Sequence, residues 1–273
     1  MKQIKGKKRI ALLALGVLLL ALAAAALDMR LAVRRYSLTS EKIETPVRLA
    51  VLTDLHSCRY GKEQETLLSA VAAEQPDAVL LVGDIVDDKM PEERAWITLE
   101  ALAKDYPCYY VTGNHEWRTD ALRICEEMAE LGITVLRGGS DAVTVGTTTV
   151  QLCGLDDPDA GFWDEQWEIL RNSVKGDTFA VLLSHRPERV EDYQMLGVDL
   201  AVSGHAHGGQ WRIPGVLNGL LAPHQGLFPD YAGGEYDLGN TTLIVSRGLA
   251  RESTLVPRIF NRPELVTVEL LGE

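Results

Sequence analysis

At 273 residues, 24% charged and 46% apolar, the chain has the composition of an ordinary globular protein with enough apolar mass for a large core, which excludes a disordered or low-complexity chain. Its net charge of −12 is uneven: residues 1–35 hold eight Lys/Arg and one acid, a local +7, so the rest of the chain carries −19. A body that acidic lacks the basic footprint that neutralises nucleic-acid phosphates, so no nucleic-acid partner is expected and a nuclease loses weight.

Five basic residues (Lys2, Lys5, Lys7, Lys8 and Arg9) precede an uninterrupted apolar run of 18 residues from Ile10 to Leu27. As a helix it would reach about 27 Å, just under the roughly 30 Å hydrocarbon core, and it exceeds the ~7–15 apolar residues of a secretory signal. Residues 1–9 are therefore expected to be a basic cytoplasmic N-terminus and residues 10–27 a transmembrane signal anchor. A cleaved signal is the alternative, because Ala23 to Ala26 offers small residues for cleavage. The basic excess ahead of the run places the acidic body on the extracytoplasmic side, in single-pass topology. Residues 28–46 read as a linker, and 47–273 as one catalytic domain with no internal repeat.

The body alternates strands and helices. Val47 to Leu52 is a strand, Glu63 to Glu74 an amphipathic helix, and Ala78 to Val82 an all-apolar strand. A helix from Pro91 to Ala103 follows, then a strand from Cys108 to Thr112 and a helix from Asp120 to Leu131. Further strands read at Thr149 to Cys153, Phe179 to Leu183, Asp199 to Ser203 and Thr242 to Ser246, so the second half is richer in strands. This order implies an α/β fold with buried parallel strands. The four cysteines are far apart and show no disulfide framework; Cys108 and Cys153 sit in apolar runs and read as buried hydrophobes.

The chemistry lies at the strand ends. Asp54 and His56 follow the first strand, Gly83-Asp84 the second, and Gly113-Asn114-His115-Glu116 the third; His185 follows the Phe179 strand and Gly204-His205-Ala206-His207 the Asp199 strand. Ligands bind at the carboxyl ends of strands in α/β sheets, so residues from 54 to 207 can meet in space. Each taken alone has a plain reading: Asp54, Asp84 and Asn114 as turn residues, His115 and His185 as hydrogen-bonded core histidines. Five of the six histidines directly behind apolar strands make those readings hard to sustain together. Asp87 and Asp88 read as a solvated helix approach, Asp156 and Asp157 as turn acids, and His224, isolated among Pro and Gly, not as a ligand.

The order Asp-x-His, Gly-Asp, Gly-Asn-His-Glu, His, Gly-His-x-His resembles the calcineurin-like metallophosphoesterases over residues 47 to about 250. Gly208-Gly209-Gln210, Arg247-Gly248-Leu249, Pro263-Glu264 and the N-terminal apolar segment are similar to its membrane-associated YkuE/YaeI-type branch. The resemblance implies two stacked mixed β-sheets flanked by helices, a four-layer fold, and two metal ions. It assigns Asp54, His56 and His207 to one ion, Asn114, His185 and His205 to the other, and Asp84 to both. Ligation by N and O without thiolate favours Mn, Fe, Zn or Co.

The expected activity is hydrolysis of a phosphodiester or pyrophosphate by in-line attack of a metal-bridging hydroxide. His115 is the candidate acid for the leaving oxygen, and Glu116 its orienting partner. Aromatic residues after the last block (Trp211 to Tyr231), and Phe162, Trp163 and Trp167, could cover the site and admit a lipid-linked ester. Alternatives on the same ligands are a metal-dependent nuclease, a phosphomonoesterase or protein phosphatase; a non-catalytic scaffold would have lost ligands.

Overall fold

Buried apolar strands sort into two six-stranded mixed sheets in a computed structural model that describes residues 2–252 and 256–273, with side chains from residue 12 onward. The first sheet contains β1 (Ala32–Thr39), β2 (Val47–Leu52), β3 (Ala78–Val82), β4 (Cys108–Val111) and β5 (Thr134–Val135), together with the last strand of the chain. The second contains β6 (Ser140–Val145), β7 (Thr148–Leu155), β8 (Phe179–Ser184) and β9 (Leu200–Ser203). A hairpin of β10 (Leu221–Ala222) and β11 (Gly226–Leu227) stands apart, β12 (Gly234–Asp237) and β13 (Thr242–Val245) complete the second sheet, and β14 (Glu264–Leu271) returns to the first. Strand order is β1-β14-β2-β3-β4-β5 in one sheet and β12-β13-β9-β8-β7-β6 in the other.

Alternation along the strands decides the layers. Leu49, Val51, Leu80, Val82 and Val111 of the first sheet pack against Leu152, Val181, Leu183, Leu200 and Val202 of the second. The opposite faces are covered by helices. α2 (Glu65–Glu74), α3 (Glu93–Asp105) and α5 (Ala121–Glu130) lie on the first sheet; α6 (Trp163–Arg171) and α7 (Val190–Leu196) lie on the second. A one-turn helix, α4 (Asn114–Trp117), follows β4. The α-β-β-α stack agrees with the expected four-layer class.

Three readings of the sequence differ from the structure. Residues 28–46 are not only a linker: β1 pairs in parallel with the whole of β14 and forms a sheet edge. Its Arg34 and Arg35 are exposed, so the strand lacks the apolar run that marks the central ones. α2 begins at Glu65, because Glu63 and Gln64 take left-handed φ of 47° and 59°. The expected transmembrane anchor is not borne out: among the described residues no helix is long and apolar enough to cross a membrane. The N-terminal helix, α1 (Lys2–Ala26), is itself present. Residues 10 and 11 of the expected span lie outside the described side chains. All four cysteines are buried and free, Cys108 and Cys153 as the apolar runs around them implied.

Candidate metal centre

Five carboxyl ends of parallel strands open on one site. β2 delivers Asp54 and His56, β3 Asp84, β4 Asn114, β8 His185, and β9 His205 and His207. Five of these seven hold left-handed backbone: φ is 51° at Asp54, 46° at His56, 53° at Asp84, 65° at His205 and 47° at His207. Such strain outside glycine costs of order 1–3 kcal/mol per residue and clusters where a site is over-determined by its surroundings. Two glycines allow the loops to interleave. A Cβ on Gly113 would strike Asp84 Oδ1, and one on Gly204 would strike Thr53 Oγ1 and Asp54 Oδ2.

The donor atoms converge. Asp54, His56 and His207 form one group, and Asp84, His185 and His205 another, with the atoms of each group within 4.8 Å of one another. Asp84 joins them: its Oδ2 lies 3.1 Å from His185 Nε2 and 3.6 Å from His56 Nε2. Asp54 Oδ1 lies 3.6 Å from His207 Nε2 and 3.9 Å from His56 Nε2. The carboxylates are braced by backbone, with His205 N donating to Asp54 at 3.0 Å and His115 N to Asp84 at 2.8 Å.

Divalent cations fit this donor set. His56 Nε2, His185 Nε2 and Asn114 Oδ1 are buried and without a hydrogen-bond partner, which is costly unless a cation takes their lone pairs. The far nitrogens are occupied: His56 Nδ1 donates to Asp87 Oδ1 at 2.9 Å, and His185 Nδ1 to the Val82 carbonyl at 2.8 Å. Each bond holds its ring with Nε2 toward Asp84, the nitrogen that is bare whenever the ring is neutral. Six of the seven expected ligands thus meet in these two groups, and the seventh, Asn114, follows β4 with its side-chain oxygen buried and unpartnered.

Ionisation follows from burial and charge. Burial would raise the Asp84 carboxyl, but the His185 imidazole beside it more than reverses this and holds it well below the usual carboxylate range. Burial would lower His185, and Asp84 instead pushes it up to about 10. This buried proton must leave when a metal ion binds. Burial pushes His207 down to about 3 and His205 well below its ordinary value, so both rings are neutral.

His115 borders the site but differs from the ligands. Its Nδ1 bonds Asp88 Oδ1 at 2.6 Å and lies 3.3 Å from Asp87. Burial would lower its pKa, and hydrogen bonding to Asp87, with the charges of Asp84 and Asp88, raises it overall. The exposed Arg118 donates to Nε2 at 2.8 Å, so in this arrangement the ring is the neutral Nδ1–H form, and Nε2 is the nitrogen open to a proton.

Several acids have more structure than the sequence suggested. Asp87 and Asp88 are not a solvated helix approach: Asp87 is buried, holds His56 and accepts Lys89 N and Met90 N at 2.9 Å each, while Asp88 holds His115. Asp156 and Asp157 are buried too, the first accepting from Thr112 and Arg137, the second from Arg186. Glu116 does not serve as the partner that orients the His115 ring. Its two oxygens accept the N–H groups of Asp84, Ile85, Val86 and Gly113 at 2.7–3.0 Å, clamping the β3 and β4 loops together. Burial and the charge of Asp84 push it up to about 6 against those four donors. Trp163 is buried with Leu170 and Tyr193, and Trp167 packs on the same cluster, so these two are core rather than a cover. The signal that could have marked Asp87 and Asp88 is three acids within Asp84 to Asp88, a density that exposed loops share.

Residues 47–209 match the family described as calcineurin-like phosphoesterase, well over half of the chain. The chain belongs to that family. This calcineurin-like phosphoesterase is 27% identical to the metallophosphoesterase YkuE of Bacillus subtilis over 82% of its own length and 78% of the relative's. It is 27% identical to the phosphodiesterase YaeI of Escherichia coli over 83% of each chain. Its fold superposes on a 5′-nucleotidase precursor of Thermus thermophilus with a TM-score of 0.52, at 15% identity, covering 83% of this chain and 54% of the other. The chain therefore spans about half the length of that nucleotidase, and the likeness is one of fold.

Proposed function

We propose that the protein is a dinuclear-metal phosphoesterase that hydrolyses a phosphodiester or pyrophosphate. The observation that carries this is that His56 Nε2, His185 Nε2 and Asn114 Oδ1 are all buried without a hydrogen-bond partner, the two imidazoles facing the shared carboxylate of Asp84. The diester preference is supported by the likeness to the phosphodiesterase YaeI. Asp54, His56 and His207 would hold one ion and Asn114, His185 and His205 the other, with Asp84 serving both. When bound, Mn, Fe, Zn or Co ions would supply an activated water and neutralise charge on the attacking and leaving oxygens.

The chain's own groups do the rest. Asp54 and Asp84 are the only anions of the seven ligands, so two divalent cations leave the site electropositive and matched to a phosphoryl group. Asp88 holds His115 by Nδ1 and leaves Nε2 to carry a proton to the departing oxygen once Arg118 swings away. Glu116 acts as a positioning residue, holding the Asp84 and Asn114 loops in register. No thiol or hydroxyl nucleophile is required.

The test is metal analysis of purified protein combined with turnover of bis-p-nitrophenyl phosphate and p-nitrophenyl phosphate. Two ions per chain, and chelator-sensitive turnover favouring the diester, are expected. Absence of bound metal together with absence of metal-restored turnover overturns the proposal.

A further inference from the structure

Beyond the seven ligands, a chain of polar groups, buried at Asp157, Arg186 and His205 and exposed at His224, reaches the second metal subsite from the β10–β11 hairpin. Asp157, behind β7, takes Arg186 in a bidentate pair, Nε to Oδ2 at 2.5 Å and Nη2 to Oδ1 at 2.7 Å. Arg186 follows the ligand His185, is 3% exposed, and its carbonyl accepts the Tyr193 hydroxyl. The guanidinium is therefore immobilised, and its Nη1 lies 2.7 Å from His224 Nδ1. His224 sits in the turn between β10 and β11 at a left-handed φ of 59°. The same Nδ1 lies 2.8 Å from Nε2 of His205, with ring centroids 5.0 Å apart.

The direction of these bonds is determined. A guanidinium can only donate, so His224 Nδ1 is an acceptor and cannot carry a proton. His205 Nε2, facing that lone pair, must then be the N–H. A neutral imidazole has one N–H, which leaves His205 Nδ1 bare. We infer that His224 is a positioning residue for the second metal subsite: fixed by Arg186, it accepts the Nε2–H of His205 and so presents His205 Nδ1 to the ion. The inference rests on the dinuclear reading of the site.

A rival use of the same atoms is a third cation site, because Glu188, His205 and His224 place ligand atoms within 4.8 Å of one another. The space already contains a cation. Arg186 Nη1 lies 3.8 Å from Glu188 Oε1 and bonds His224, and a divalent ion there would face a fixed positive charge.

The test is calorimetric titration of chelator-stripped protein with Zn2+. The wild type is expected to bind two ions, and His224→Ala to bind the second about 10–100-fold more weakly with the first unchanged. His224→Asn, whose side-chain oxygen can stand where Nδ1 does, is expected to recover most of that loss. Nitrogen chemical shifts of the zinc-loaded wild type should report His205 protonated at Nε2, a readout that needs no variant. Equal affinities in wild type and His224→Ala, a His205 protonated at Nδ1, or a third ion lost with His224 would each overturn the inference. A wild type that binds no second ion would sink the dinuclear reading itself, a result separable from the others.

Discussion

Asp87→Asn tests whether the metal ligands depend on the acids behind them. Asp87 Oδ1 accepts His56 Nδ1–H at 2.9 Å while Oδ2 accepts the N–H groups of Lys89 and Met90. An amide of the same shape cannot serve both sides. With its oxygen on His56, its NH2 opposes two backbone donors; flipped, it donates to Nδ1 and drives the proton to Nε2, the nitrogen needed for the ion. Outer partners of this kind are worth about 10–100-fold in metal affinity, or roughly 1.4–2.7 kcal/mol at 1.36 kcal/mol per tenfold. The assay is activity against a phosphodiester as a function of metal concentration. The midpoint should move up by that factor, with most of the turnover regained at saturating metal. An unchanged midpoint would refute the claim that Asp87 sets the His56 tautomer.

His115→Ala should retain both ions while turnover falls about 10²–10⁴-fold, measured as metal content and kcat on one preparation; unchanged kcat would remove His115 from the chemistry. Because its neighbouring acids raise the His115 pKa, the protonated form persists above the ordinary range and is lost as pH rises through the folded value. Asp88→Asn, by removing one of those charges, should move the alkaline limb of kcat/KM to lower pH; a limb that stays put would assign it to another group. Glu116→Gln leaves at least one of four buried N–H groups opposite an NH2, at about 1–3 kcal/mol per unmet group, and should lower the unfolding midpoint of metal-free protein. Gly204→Ala forces a methyl into Thr53 and Asp54 and should cost about 1–3 kcal/mol along with metal binding; a neutral result in thermal unfolding would argue against the close approach.

The sequence by itself determined the alternating α/β order, the apolar central strands and the seven ligand candidates. Period and strand-end position are local properties that residues 47–82 or 179–207 display without their neighbours. Which strands share a sheet depended on long-range pairing: β14 inserts between β1 and β2, and β1 has too little apolar pattern to announce itself. The acids behind the ligands were likewise illegible. Asp87, Asp157 and Glu116 are ordinary loop acids in one dimension, and only burial against a specific donor gives each its task. His224 lies 17 residues beyond His207, in a segment of Pro and Gly that predicts only a turn. The fold brings it onto His205 because the β10–β11 hairpin closes against the His207–Gly209 turn that follows β9, and a hydrogen bond between two imidazoles 19 residues apart is a fact of tertiary packing.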